Sequence, residues 1–150
     1  MTNQIPPTHP VRVVIADHNK EVRETVMQLL SPAFEVVGMA EDGSAAFEMV
    51  MELWPEIIVM AISMPGISGI ETASKIKKSH SATKTVILTV HEDQDFVKAA
   101  FAAGASCYVV KPSMVSDLNP ALHSALDGVS FISPRCSLSP TAITIGKLDS

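Results

Sequence analysis

Seven positions in this sequence sit at or just past the ends of short apolar runs, and most carry side chains that can do chemistry. Asp17 and His18 follow Val11–Ala16. Ala61 and Ser63 close the Glu56–Ile62 run, Thr89 and His91 mark the end of Thr85–Val90, and Lys111 follows Ser106–Val110. An acid, imidazoles, a hydroxyl and a lysine gathered at one edge would suit a metal-and-phosphoryl site. Asp17 with His18 and His91 would instead suit a transition metal, since imidazole binds zinc, copper and nickel, although their spacing matches no recognised ligand motif. Each residue also has a purely structural use. Asp17 can cap the next helix or pair with Lys111, Thr89 can bond a neighbouring backbone group, and Lys111 can be a solvated charge at a strand end.

Whether these positions meet depends on the elements between them. Val11–Ala16 is largely β-branched, the pattern of a strand buried on both faces. Lys20–Leu30 carries Val22, Val26, Leu29 and Leu30 at helical spacing and stops at Ser31-Pro32. Phe34–Gly38 predicts a second strand, Asp42-Gly43 a turn, and Ala45, Ala46, Met49, Val50 and Leu53 a helix closed by Trp54-Pro55. Glu56–Ile62 predicts a central strand, which the Pro- and Gly-bearing loop Ser63–Gly69 cannot continue. A helix over about Ile70–Lys78 follows. Thr85–Val90 predicts a strand, Asp93–Ala103 a helix stopped by Gly104, and Ser106–Val110 a fifth strand. The last helix is expected from about Ser116 to Asp127, with Pro120 forcing a late start or a kinked first turn.

Five strands alternating with five helices predict an α/β fold, a doubly wound five-stranded parallel sheet in a single domain, with right-handed crossovers. In such a sheet the crevice lies beyond the carboxyl ends of the strands, where all seven positions fall. Residues 1–10 read as an N-terminal extension, 11–130 as the domain, and 131–150 as a mobile Ser/Pro/Thr-rich tail. In the Asp93–Ala103 helix Val97 and Phe101 face inward, so some of Ala99, Ala100, Ala102 and Ala103 form an outer patch open to close approach.

At 150 residues the chain fits one domain, and 47% hydrophobic with 18% charged residues excludes disorder of the whole. A net charge of −5 provides no field for nucleic acid or an anionic membrane. Cys107 and Cys136 are too few for a disulfide scaffold and lack paired metal spacing. The N-terminus has no apolar signal-peptide core, and the longest apolar run is about a third of a bilayer span. The expectation is a cytoplasmic protein without a membrane segment.

Five stretches in order, Val13-Val14-Ile15-Ala16-Asp17, Ala40-Glu41-Asp42-Gly43, Ile58-Val59-Met60-Ala61-Ile62-Ser63-Met64-Pro65-Gly66, Val86-Ile87-Leu88-Thr89 and Gly104-Ala105-Ser106-Cys107-Tyr108-Val109-Val110-Lys111-Pro112, resemble the receiver domain of bacterial two-component response regulators. The resemblance covers about Val11 to Pro134. It implies a flavodoxin-like fold, an acidic pair that binds magnesium, and an aspartate after the third strand that accepts a phosphoryl group. It also implies a Thr and a Lys that contact that group, and an aromatic residue whose rotamer reports phosphorylation. Asp17, Thr89, Lys111 and Tyr108 match. Lys111-Pro112 matches a position where the family's peptide bond is often cis.

Three positions depart from the pattern. Ala61 stands where the resemblance places the phosphoacceptor, and a methyl group has no nucleophilic oxygen. His18 stands in the acidic pair, and imidazole is a poor ligand for magnesium. Val90 replaces a small residue and narrows the entrance for a phosphodonor. The chain is therefore expected to be a degenerate receiver that is not an enzyme, binds magnesium weakly or not at all, and is not phosphorylated at the usual position. It would act by contact with a protein partner or a second copy through the fourth helix, fifth strand and fifth helix.

Two alternatives stay open. An ordinary phosphoryl-accepting regulator with aspartate changed to alanine would also read this way at Ala61, although His18 and Val90 favour natural degeneracy. The other is a small metal- or ligand-binding protein using Asp17, His18 and His91. Val129-Ser130-Phe131-Ile132-Ser133-Pro134 resembles the lead of one subfamily into a helix-turn-helix domain, yet too few residues follow to build one, so no nucleic acid is expected to bind this chain alone.

Overall fold

In the computed structural model, which describes residues 9–79 and 82–136, the apolar runs form one parallel sheet. The elements are β1 (Val11–Ala16), α1 (Lys20–Leu29), β2 (Phe34–Ala40), α2 (Gly43–Leu53), β3 (Ile57–Met60), α3 (Gly69–Ser79), β4 (Lys84–Thr89), α4 (Gln94–Ala102), β5 (Cys107–Val110), α5 (Met114–Leu126) and β6 (Phe131–Ile132). Their order across the sheet is β2-β1-β3-β4-β5-β6, and every neighbouring pair is parallel. The order in which strands are added reverses between β1 and β3, which opens the crevice at their carboxyl ends.

Side chains alternate across each strand and so divide the core in two. Val14, Ala16, Ile58, Met60, Ile87, Tyr108 and Val110 pack with residues of α2, α3 and α4. Val13, Ile15, Val59, Val86, Leu88, Cys107 and Val109 pack with Val26 of α1 and with Leu118, Ala121, Leu122 and Ala125 of α5. Both faces being covered, β3 and β5 are buried along their whole length.

Local capping fixes the helix ends. The Asn19 side chain accepts from the backbone N–H groups of Glu21 and Val22, and Asp42 Oδ1 accepts from Ala45 N at 2.8 Å. The end of α1 is held by a distant residue. Asn119 of α5 accepts from Ser31 N at 3.0 Å and donates to the Leu29 carbonyl at 2.8 Å.

The sheet has six strands rather than the expected five. Phe131 and Ile132, read from sequence as the start of the tail, pair with Cys107 and Tyr108 at the outer edge of β5. Two residues are too few to show a period. The rest of the expected tail, from 137 on, and residues 1–8 of the N-terminal extension lie outside the described residues.

The last helix also differs. It begins at Met114, two residues before the expected start, and carries Pro120 in its interior. Proline there costs roughly 3 kcal/mol. Fully burying Leu118 and Leu122 contributes about 1.5–3 kcal/mol each, enough to carry the helix through. No peptide bond among the described residues is cis, so Lys111-Pro112 departs from the expected family habit. It opens a short 3₁₀ turn, Lys111–Ser113, where proline's fixed φ suits the first positions.

Candidate functional site

Asp17 ends β1 and is 2% exposed. Its Oδ2 lies 2.9 Å from Lys111 Nζ, delivered by the end of β5, and its Oδ1 accepts from Asn19 N at 2.9 Å. Arg23 of α1 donates to the Asp17 carbonyl at 2.7 Å. Both carboxylate oxygens therefore have partners within the chain. His18 projects outward, with Nδ1 3.7 Å from Asp17 Oδ1.

Ala61 follows β3, and its N–H donates to the Ala16 carbonyl at 3.0 Å. Its methyl is buried, and the chain passes so close behind it that a Cβ on Gly69 would fall on the Ala61 carbonyl oxygen. Only glycine permits that approach of the α3 start to the site. Ser63 is exposed, and its Oγ hydrogen-bonds His91 Nε2 at 3.3 Å. The His91 ring stacks on Phe96, with centroids 4.1 Å apart and planes 13° from parallel. Thr89 is buried, and its hydroxyl accepts from His91 N at 3.3 Å. Val90 is 61% exposed beside it. A cavity of about 300 Å³ lies between His18, Ser63, Met64 and Pro65.

Tyr108 is fully buried in β5 and donates its hydroxyl to the His91 carbonyl at 2.8 Å. Burial, and then the nearby Cys136 and Asp93, push its ionisation well above the usual phenol range.

The expected positions thus fall into two groups around one mouth. Asp17, His18 and Lys111 form one, and Ser63, Thr89, His91 and Tyr108 the other; Ala61 lies at the end of β3, and His18 and Ser63 share the cavity. Among the described residues no three His, Cys, Asp or Glu side chains converge as a metal would need. His91 spends its ring on Ser63 and Phe96 instead. Sequence reasoning missed Asn19 as a partner of Asp17. It also missed Ser133, buried where Val110 N and Asp117 Oδ2 meet its hydroxyl at 3.1 and 2.8 Å. Ser133 stands beside a proline in a polar stretch, which reads as loop.

Comparison with known proteins agrees with this architecture. Residues 13–123 match the response regulator receiver domain, and the chain belongs to that family. It is 32% identical over 127 residues to the transcriptional regulatory protein DegU of Brevibacillus brevis, covering 83% of this chain and 54% of that protein. It is 37% identical over 118 residues to the transcriptional regulatory protein PdtaR of Mycobacterium tuberculosis H37Rv, covering 78% and 57%. The chain spans just over half the length of these relatives. Among solved structures, a LuxR-family two-component response regulator from Aurantimonas sp. SI85-9A1 superposes with a TM-score of 0.82 at 32% identity, over 93% of this chain and 99% of that one. The signal receiver domain of the response regulator NarL from Mycobacterium tuberculosis gives 0.77 at 29% identity, over 80% and 98%. The fold and family together define a receiver domain of two-component signalling. No helix among the described residues is long and apolar enough to cross a membrane.

Proposed function

We propose that this receiver domain signals by protein contact without accepting a phosphoryl group at the family's position. The observation that carries the reading is Ala61. It occupies the end of β3, where the resemblance places the acceptor, and its methyl can neither attack phosphorus nor ligate a cation. The rest of the corner supports this. Magnesium takes oxygen ligands in strict octahedral geometry, whereas here one carboxylate remains and both its oxygens are engaged by Lys111 and Asn19. His18 supplies nitrogen. The donor set does not suit magnesium, and no step is assigned to the ion.

The contact surface in this reading is the face made by α4, β5 and α5. On α4, Val97, Ala100 and Phe101 turn inward and Ala99 and Ala102 outward; on α5, Val115 is 75% exposed. Small side chains let a partner helix approach closely, and an exposed valine adds apolar area. The partner is a protein or a second copy of the chain.

The test is incubation with acetyl phosphate and magnesium, followed by intact-mass spectrometry and sizing. The expected result is an unchanged mass and the same oligomeric state with or without the donor. Stoichiometric gain of one phosphoryl group would overturn the reading, and peptide mapping would then show whether Ser63 had received it.

A further inference from the structure

The segment after α5 is tied to three separate elements. Phe131 and Ile132 pair with β5, and Ser133 N continues the ladder onto the Tyr108 carbonyl at 2.9 Å. The Ser133 hydroxyl is fully buried; it accepts from Val110 N and donates to Asp117 of α5. Arg135 Nε reaches Glu92 Oε2, in the loop between β4 and α4, at 3.1 Å. Cys136 N closes the turn onto the Ser133 carbonyl at 2.9 Å, and its side chain joins the buried cluster that holds Tyr108, Val97 and Phe101.

Those ties lead back to the site. Tyr108 donates to the His91 carbonyl, and the His91 ring holds Ser63 at the mouth. Residues 131–136 and the mouth are therefore joined through one side chain, Tyr108, and one loop, His91–Asp93. The attachment is local rather than global. Ile132, Ser133 and Cys136 are buried, but the strand is only two residues long and the Arg135–Glu92 pair is exposed and worth little. The connection back to α5 is the exposed turn Asp127–Ser130, with Gly128 at φ +74°. Lifting the segment costs only a part of global unfolding, and it would uncover the hydrogen-bonding edge of β5.

We propose that Phe131–Cys136 is a releasable clamp: seated, it holds Tyr108 and the β4–α4 loop in one arrangement, and lifted, it changes the α4–β5–α5 face. The inference rests on the reading of that face as the output surface. It makes the state of the clamp, rather than chemistry at Ala61, the variable that sets its shape.

The experiment uses the full chain with Ser133→Ala and, separately, Arg135→Ala, both without phosphodonor. Amide hydrogen exchange and nitration by tetranitromethane are measured; Tyr108 is the single tyrosine of the sequence. The expected result is lost protection at Val110 and Ser133 together with His91, Phe96 and Val97, whose N–H groups are bonded in the β4–α4 loop and the first turn of α4, while α1 to α3 keep the parent's protection, and nitration of Tyr108 at least about tenfold faster. Arg135→Ala, on the surface, changes the same amides to a smaller degree and decides the matter should Ser133→Ala fail to fold. Loss confined to 130–136 and Val110, with His91, Phe96, Val97 and Tyr108 as in the parent, would overturn the clamp. Phosphoryl uptake by the parent in the mass assay would instead overturn the proposed function, so the two failures are distinguishable.

Discussion

Lys111→Met should be among the most costly single changes at the mouth, and its size can be worked from the Asp17 contacts. Asp17 is 2% exposed and meets one cation, Lys111, at 2.9 Å. Removing one partner of a buried ion pair costs about 3–5 kcal/mol, because the remaining charge stays desolvated. Two features lower that figure here. Asn19 N still donates to Oδ1, and the Lys111 side chain is 21% exposed, so water can reach the space it leaves. The expected loss is about 2–4 kcal/mol. Asp17→Asn should cost less, about 1–2 kcal/mol, since it removes the buried charge and leaves a lysine that can turn to solvent. The double variant should cost less than the sum, with a coupling of about 1–3 kcal/mol. Urea unfolding followed by far-ultraviolet circular dichroism gives all four free energies. Costs that add to within about 0.5 kcal/mol, or a Lys111→Met cost below about 1 kcal/mol, would refute the reasoning and make the pair an ordinary surface contact.

If, as proposed, His18 occupies the place of an acid and Val90 narrows the entrance, Ala61→Asp alone should take up phosphoryl from acetyl phosphate slowly or not at all. With His18→Asp and Val90→Ala added, labelling in a time course should be faster; equally rapid, stoichiometric labelling of the single variant would favour an ordinary regulator carrying one substitution. Millimolar magnesium should leave the thermal midpoint of the parent unchanged, and a rise of several degrees would contradict the donor-set argument. Stability should fall at alkaline pH: burial pushes the Cys107 thiol up to about 11, so the native state holds that proton more tightly. The contribution, about 2–3 kcal/mol, is fully present below about pH 9 and is lost as pH rises toward 11, with Tyr108 adding in the same direction. Cys107→Ala should flatten the thermal midpoint between pH 8 and pH 11, and an unchanged slope would count against it.

The strands were legible where burial is two-sided. Val13–Ala16 and Ile57–Met60 are β-branched or apolar without interruption because helices cover both faces, and such runs end where the sheet ends. That is why Asp17, Ala61 and Thr89 could be placed at one edge from order alone. Features settled by long-range contact were not legible. The start of α5 at Met114 and its passage through Pro120 follow from the buried Leu118–Ala125 face, and β6 follows from an open edge on β5. The register slip between Val13 and Val14 against β2 likewise has no local signal. At the mouth, residue types foretold a carboxylate and a lysine and offered their pairing, which the fold realises at 2.9 Å; that His91 turns to Phe96 had no signal in the sequence.

Asn119 gives α1 an ending that its own neighbourhood does not provide. The helix lacks a C-terminal glycine, and its last turn is completed by an amide 88 to 90 residues further along the chain. The end of α1 therefore waits for α5. A fragment that stops short of α5 lacks both of these bonds, so the end of α1 is tied to the folding of α5. Damage at residue 119 should accordingly be felt near residue 30, in an element made far earlier in synthesis.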